Sequence, residues 1–209
     1  LKHALFISAA AVAALSLAAC NKPAATTTDP SAENTTAAGA AVDKAQDSTG
    51  AAVGVASATT VGSHDTASFV SNASQSDMYE IEAAKIAQAR SKDASIKAFA
   101  KMMVADHTAT SKAMGPLATA AGQTPADKLD QRRQGFIDNL KTASDADFNK
   151  VYVDQQVAAH KEALDLMNGY AKDGSDAGLK GAAASTAPKV QMHLEKITGI
   201  QTALAAAKK

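Results

Sequence analysis

Residues 94–122 read ASIKAFAKMMVADHTATSKAMGPLATAAG. Stepped alternately by four and three, Ile96, Ala100, Met103, His107, Thr110, Met114, Leu117 and Ala121 form one stripe without a slip. That spacing is the seam of a helix packed lengthwise against other helices, because a 3.5-residue repeat keeps one face turned to its partner. Ser91 or Asp93 can cap the start, where a short side-chain oxygen accepts from free backbone N–H groups. Gly122 can end the helix in the left-handed conformation, and Pro116 predicts a bend in the last turns.

The same periodicity runs outward from this segment. Upstream, it predicts a helix from Thr66 to Arg90, with Phe69, Ala73, Ala84 and Ala87 on one face. Downstream, Thr124-Pro125-Ala126-Asp127 supplies a cap, a first-turn proline and an acidic residue. These predict a shorter amphipathic helix carrying Leu129, Phe136, Ile137 and Leu140. Ser144 to Asp147 is a second capping signature, opening a helix from about Ala146 to Lys172. Val153, Val157, His160, Leu164 and Met167 share its inner face, and Asp173-Gly174-Ser175 breaks it. The last helix carries another unslipped seam, Leu179, Ala183, Thr186, Val190, His193, Ile197, Ile200 and Leu204, with a kink predicted at Pro188. Turns near Ser91 and Gly174 make two hairpins, and the longer link can cross from one end to the other. The expectation is an all-α fold: a ferritin-like four-helix bundle of two antiparallel hairpins joined by a crossover containing a short helix.

Composition agrees with helices. Apolar residues make up 46% of the 209, much of it alanine, and tryptophan is absent, which suits close-packed helices better than a pleated sheet. With 21 basic and 21 acidic residues the formal charge is zero, and no basic stripe is present to neutralise phosphates. Nucleic acid is therefore excluded as a partner. The single cysteine, Cys20, rules out an internal disulfide.

Cys20 instead closes an export signal. Lys2 and His3 precede an uncharged apolar run from Ala4 to Ala19, too short to span a bilayer comfortably. The run ends in Leu17-Ala18-Ala19-Cys20, which resembles a bacterial lipobox. That resemblance implies a signal peptide over residues 1–19, removed before a diacylglycerol-bearing Cys20. Several acyl chains on one residue are enough for stable anchoring in a lipid bilayer. Asn21 after the cysteine, rather than aspartate, points to the outer membrane. Residues 20–64 then read as the lipidated cysteine and a disordered tether, rich in Ala, Thr, Ser, Gly and Asp and too poor in large apolar groups to offset its ordering entropy. The bundle domain occupies residues 65–209, giving a lipid-anchored cell-envelope protein on the periplasmic face.

Several stretches of the domain resemble a bacterial family known as domain of unknown function 4142. They are Phe69-Val70, Met78-Tyr79-Glu80-Ile81-Glu82, the block from Phe99 to Asp106-His107, Gln156-Val157 with His160, and His193-Leu194. The resemblance implies an exported, ferritin-like fold and no particular activity.

Four polar residues stand out, one on each long helix: Glu80, His107, His160 and His193. His107 and His193 occupy seam positions where Leu or Ile belongs. Burying any of them unpartnered would cost several kcal/mol or shift its pKa. Convergence in one layer would satisfy them together, either as a hydrogen-bonded polar layer or as ligands of Fe, Zn, Cu or Mn. Asp106 and Glu82 flank the core as candidate supporting residues. The Glu-x-x-His motif of di-iron bundles is missing, since Val104, Val157 and Val190 precede the three histidines by three. Met103 and Met114 are seam residues and read as packing. No phosphate loop, nucleophile elbow or cysteine metal motif is present, and no catalytic residue is assigned. On these grounds the sequence favours a non-enzymatic, partner-binding or stress-related envelope module with no cofactor. A metal-binding ferritin-like protein, an oxidoreductase or a metal store, is the alternative.

Overall fold

The structure, a computed structural model, describes residues 65–207; the expected signal segment, Cys20 and the tether lie outside them. Five helices follow in order: α1 (Thr66–Arg90), α2 (Ala94–Ala120), α3 (Gln131–Thr142), α4 (Phe148–Asp173) and α5 (Ala177–Ala206). Four begin on the same device. Asp65, Asp93, Asp130 and Asp176 each sit in extended backbone and accept a hydrogen bond from an N–H two or three residues on. That satisfies donors the helix itself leaves free. The α2 helix ends as its glycine requires: Gly122 has φ 70°, Gln123 N–H donates to Ala118 O and Gly122 N–H to Thr119 O. This is the Schellman closure. Helices α2 and α5 continue through Pro116 and Pro188.

The crossover departs from the sequence expectation. Thr124-Pro125-Ala126-Asp127 opens no helix; α3 starts only after Asp130. The reason is tertiary. The loop backbone is held by α1, with Ala126 N–H donating to Ser74 Oγ (2.9 Å) and Asp130 N–H to Gln75 Oε1 (2.9 Å). The α4 start also moves, to Phe148, with Ser144 Oγ accepting from Asp147 N–H at 3.2 Å.

The α1–α2 and α4–α5 pairs are hairpins, with α1 also against α4 and α2 against α5. Thr66 Oγ1 lies 2.8 Å from Tyr170 OH, and Ser91 Oγ donates to Asn149 Oδ1 at 2.8 Å. The start of α1 therefore meets the end of α4 and the reverse, so these two run antiparallel. Helix α3 lies across α1 and α4. Arg133 and Arg132 of α3 reach Glu162 of α4, at 3.1 and 2.6 Å, and Arg133 also pairs with Asp130. Arg90 closes the far end on Leu140 O (2.6 Å), Ala143 O (2.7 Å) and Asp145.

The inner stripes follow 3.6 residues per turn more closely than the expected 3.5. Ala118 is buried where Leu117 and Ala121 were expected, and Ala187 where Thr186 was. A straight helix drifts roughly 20° per heptad, which moves the stripe over by one residue. The apolar core comes in two halves. Ile96, Phe99, Met103, Ile137, Leu140 and Tyr152 fill the end near the α1–α2 turn. Phe69, Met114, Leu166, Tyr170 and Leu179 fill the end near the α4–α5 turn. Between them lies a buried polar layer: Asp77, Glu80, His107, His160 and His193. No helix of the described residues is long and apolar enough to cross a membrane.

Candidate metal centre

Each of the four long helices contributes to this layer. Glu80 comes from α1, His107 from α2, His160 from α4 and His193 from α5. Glu80, His160 and His193 are each 1% exposed and His107 is 6% exposed, so water does not solvate them. The ring centroids form a nearly even triangle: His107–His160 6.0 Å, His107–His193 5.7 Å and His160–His193 5.5 Å.

Every imidazole is held from outside the triangle. His107 Nδ1 lies 2.8 Å from Asp77 Oδ1, and Asp77 Oδ2 accepts from Ser111 Oγ at 2.9 Å. His160 Nδ1 is 2.8 Å from the Gln156 carbonyl, its backbone neighbour one turn back. His193 Nε2 is 2.9 Å from Asp106 Oδ2, whose other oxygen lies 3.6 Å from Lys189 Nζ. All three partners are acceptors, so each of these nitrogens carries the proton and donates. The opposite nitrogens then face inward.

Those inward atoms are His107 Nε2, His160 Nε2 and His193 Nδ1. All are buried and meet no hydrogen-bond partner among the described residues. One ligand atom from each histidine lies within 4.8 Å of the others. An equilateral triangle of that side has its corners 4.8/√3, about 2.8 Å, from the centre. A zinc–nitrogen bond is ~2.0–2.1 Å, so side-chain shifts on the order of 0.7 Å would close the set on an ion. Glu80 Oε1 stands 3.7 Å from His160 Nδ1, the nitrogen turned to the Gln156 carbonyl, so this carboxylate of the fourth helix lies beside the three inward nitrogens.

Burial and neighbouring charges set the protonation of these four groups. Burial, and then the charge on His107, pull the His160 pKa down to about 4. Burial does the same to His193, also to about 4, against the hydrogen bond that His193 donates to Asp106. Both rings are therefore neutral near pH 7 and present bare lone pairs. Burial opposes a charge on His107 as well, but the Asp77 hydrogen bond and the carboxylates of Glu80, Asp77 and Asp106 outweigh it and raise its pKa. Burial pushes Glu80 up to about 7, with His107 the strongest opposing influence.

The structure brings Glu80, His107, His160 and His193 together, and Asp106 against His193. It does not bring Glu82 into the group: that carboxylate turns outward and meets Lys141 Nζ at 2.9 Å. Three residues after Asp77 but only two before Glu82, Glu80 shares an inner face with the first and not with the second. Asp77 is the supporting residue that sequence reading missed. Its three-residue spacing from Glu80 was the available signal, but an aspartate in mid-helix reads equally as surface charge.

Fold and site together define an all-helical bundle with a histidine-rich polar centre. The chain belongs to the family described as Domain of unknown function (DUF4142), which it matches over residues 51–200. No curated protein and no solved structure matches it.

Proposed function

We propose that this protein is a lipid-anchored envelope protein whose ferritin-like bundle binds one divalent first-row transition metal ion. His107, His160, His193 and Glu80 are the ligands; Asp77, the Gln156 carbonyl and Asp106 orient the imidazoles. The observation that carries this reading is the set of three ring nitrogens, one from each histidine, buried and unpartnered among the described residues, in rings whose ligand atoms lie within 4.8 Å of one another. Each unpartnered buried polar atom costs about 1–3 kcal/mol. Three would cost on the order of 3–9 kcal/mol, comparable with the ~5–15 kcal/mol total stability of an ordinary domain. A cation satisfies all three at once.

The outward hydrogen bonds argue the same way. Metal-binding histidines almost always donate their second ring N–H to a carboxylate or carbonyl, which fixes the tautomer and strengthens the ligand nitrogen. All three histidines have such an acceptor here. Three nitrogens and one oxygen suit Zn, Fe, Cu or Ni, whereas Ca and Mg prefer all-oxygen sets. The lipid anchor rests on the lipobox at Cys20, and the ferritin-like topology on the two hairpins with a helical crossover.

Metal analysis of the purified full chain tests the site. Close to one ion per chain is expected in wild type, with loss of the ion in a His160→Ala and His193→Ala double variant. Wild type that retains no ion after exposure to Zn, Fe, Mn, Cu and Ni, and whose melting is unmoved by any of them, would refute the proposal.

A further inference from the structure

Beside the histidine triangle is a cavity of about 20 Å³, bordered by Ala73, Asp77, His107, Thr110, Thr186 and His193. About 10–15 Å³ is enough for one water, while pockets for organic ligands run to roughly 300 Å³ and more. Its walls lie to one side of the site. Thr110 is three residues beyond His107, Thr186 seven before His193 and Ala73 seven before Glu80, all toward the α4–α5 turn. At 1.5 Å per residue these are displacements of roughly 4–10 Å along the bundle. Glu80 and His160 do not border the cavity. Thr110 and Thr186 are half-buried and Lys189, which also borders it, is exposed, so the cavity leads outward between α2 and α5.

Resting on the metal reading, we infer that the ion keeps one exchangeable coordination position facing this cavity. Its occupant is water or a diatomic molecule of the oxygen or nitric oxide kind. Away from the cavity, Phe99 packs edge-on against His160 with ring centroids 5.9 Å apart. The cavity is the space that ligands do not fill. A protein site with three histidines and an open position is the arrangement that lets a bound ion exchange small molecules. The size of the cavity restricts that exchange. Thr110 and Thr186 line the way in, and the Lys189–Asp106 pair stands at its outer end.

The experiment uses the full chain loaded anaerobically with Fe²⁺, metal content being measured first. Nitric oxide is then added and the paramagnetic signal of an iron nitrosyl recorded; imidazole is the oversized control. Wild type is expected to give the nitrosyl and to ignore imidazole. Thr186→Leu, which fills the cavity from α5, should hold iron equally and form the nitrosyl at least tenfold more weakly. Ala73→Leu fills it from α1 and serves if the first variant does not fold. Bound iron with no nitrosyl in wild type overturns the exchangeable position while leaving the metal site standing. Imidazole binding as readily as nitric oxide, or undiminished nitrosyl in both filled variants, overturns the assignment of the cavity. A chain that takes up no metal fails at the metal analysis and refutes the underlying site as well.

Discussion

Replacing His160 by leucine separates a metal centre from a hydrogen-bonded polar layer, because the two predict opposite behaviour of one variant. His160 is 1% exposed and its only outward bond is from Nδ1 to the Gln156 carbonyl. That carbonyl lies within α4 and keeps its helical N–H partner, so leucine strands nothing there. The inward Nε2, unpartnered among the described residues, disappears. Removing one such atom is worth up to about 1–3 kcal/mol, and leucine packs acceptably beside Phe99. Chelated His160→Leu should therefore melt at or above chelated wild type.

With metal the order reverses. An ion held only by the folded state at a free concentration 100 times its Kd adds about 2.7 kcal/mol. A domain of this size shifts by roughly 2–4 °C per kcal/mol, so wild type should rise by about 5–11 °C. His160→Leu should rise little, having lost one of three nitrogens. Thermal melts followed by circular dichroism, with chelator and then with each of Zn, Fe, Mn and Cu, read both effects. Equal metal-induced shifts in wild type and variant would refute His160 as a ligand. A chelated variant several degrees less stable than chelated wild type would refute the claim that its inward nitrogen is unsatisfied.

Other parts of the molecule make independent predictions. Glu162→Leu leaves Arg133, itself 6% exposed, with Asp130 as its remaining partner and should cost about 1.5–3 kcal/mol in urea unfolding, whereas adding Arg133→Met should recover most of the loss. A double variant no more stable than Glu162→Leu would contradict that account. Asp93→Ala removes the α2 cap and should cost about 0.5–2 kcal/mol at neutral pH. Hydrogen bonds from Ser95 and Ile96 hold the Asp93 pKa below its ordinary 3.8, so the wild-type advantage should persist above that value and fade as pH falls through the lower folded pKa. Urea titrations from pH 7 to about pH 2 check the sign, and an advantage that grew on acidification would be contrary to it. Labelled palmitate should appear on the full chain and vanish in Cys20→Ala; equal labelling of both would end the lipid-anchor reading.

The crossover shows where local reading of the chain stops. Thr124-Pro125 has the chemistry of a helix start, yet α3 begins at Gln131 because Ser74 and Gln75 take up the loop's backbone donors. Those partners are 52 and 55 residues away, beyond the reach of any capping rule. Gly174 marks the opposite case. A β-carbon there would come within 2.6 Å of the Tyr170 carbonyl, and the break at Asp173-Gly174-Ser175 is plain in the sequence.

What the sequence determined by itself is the set of helices and the identity of the polar intruders. Periodicity is a local property, so Thr66–Arg90 and the α2 and α5 stripes around His107 and His193 can be read from spacing, and the two histidines show as interruptions in them, while the stripe positions at Ala118 and Ala187 could not. The tertiary structure decided what those intruders make. Only the packing of four helices turns three ring nitrogens toward one point and supplies Asp77, the Gln156 carbonyl and Asp106 to hold them so. The physical reason is that a side chain's partner across a bundle depends on the relative height and rotation of two helices. Neither quantity is written in the spacing of either one.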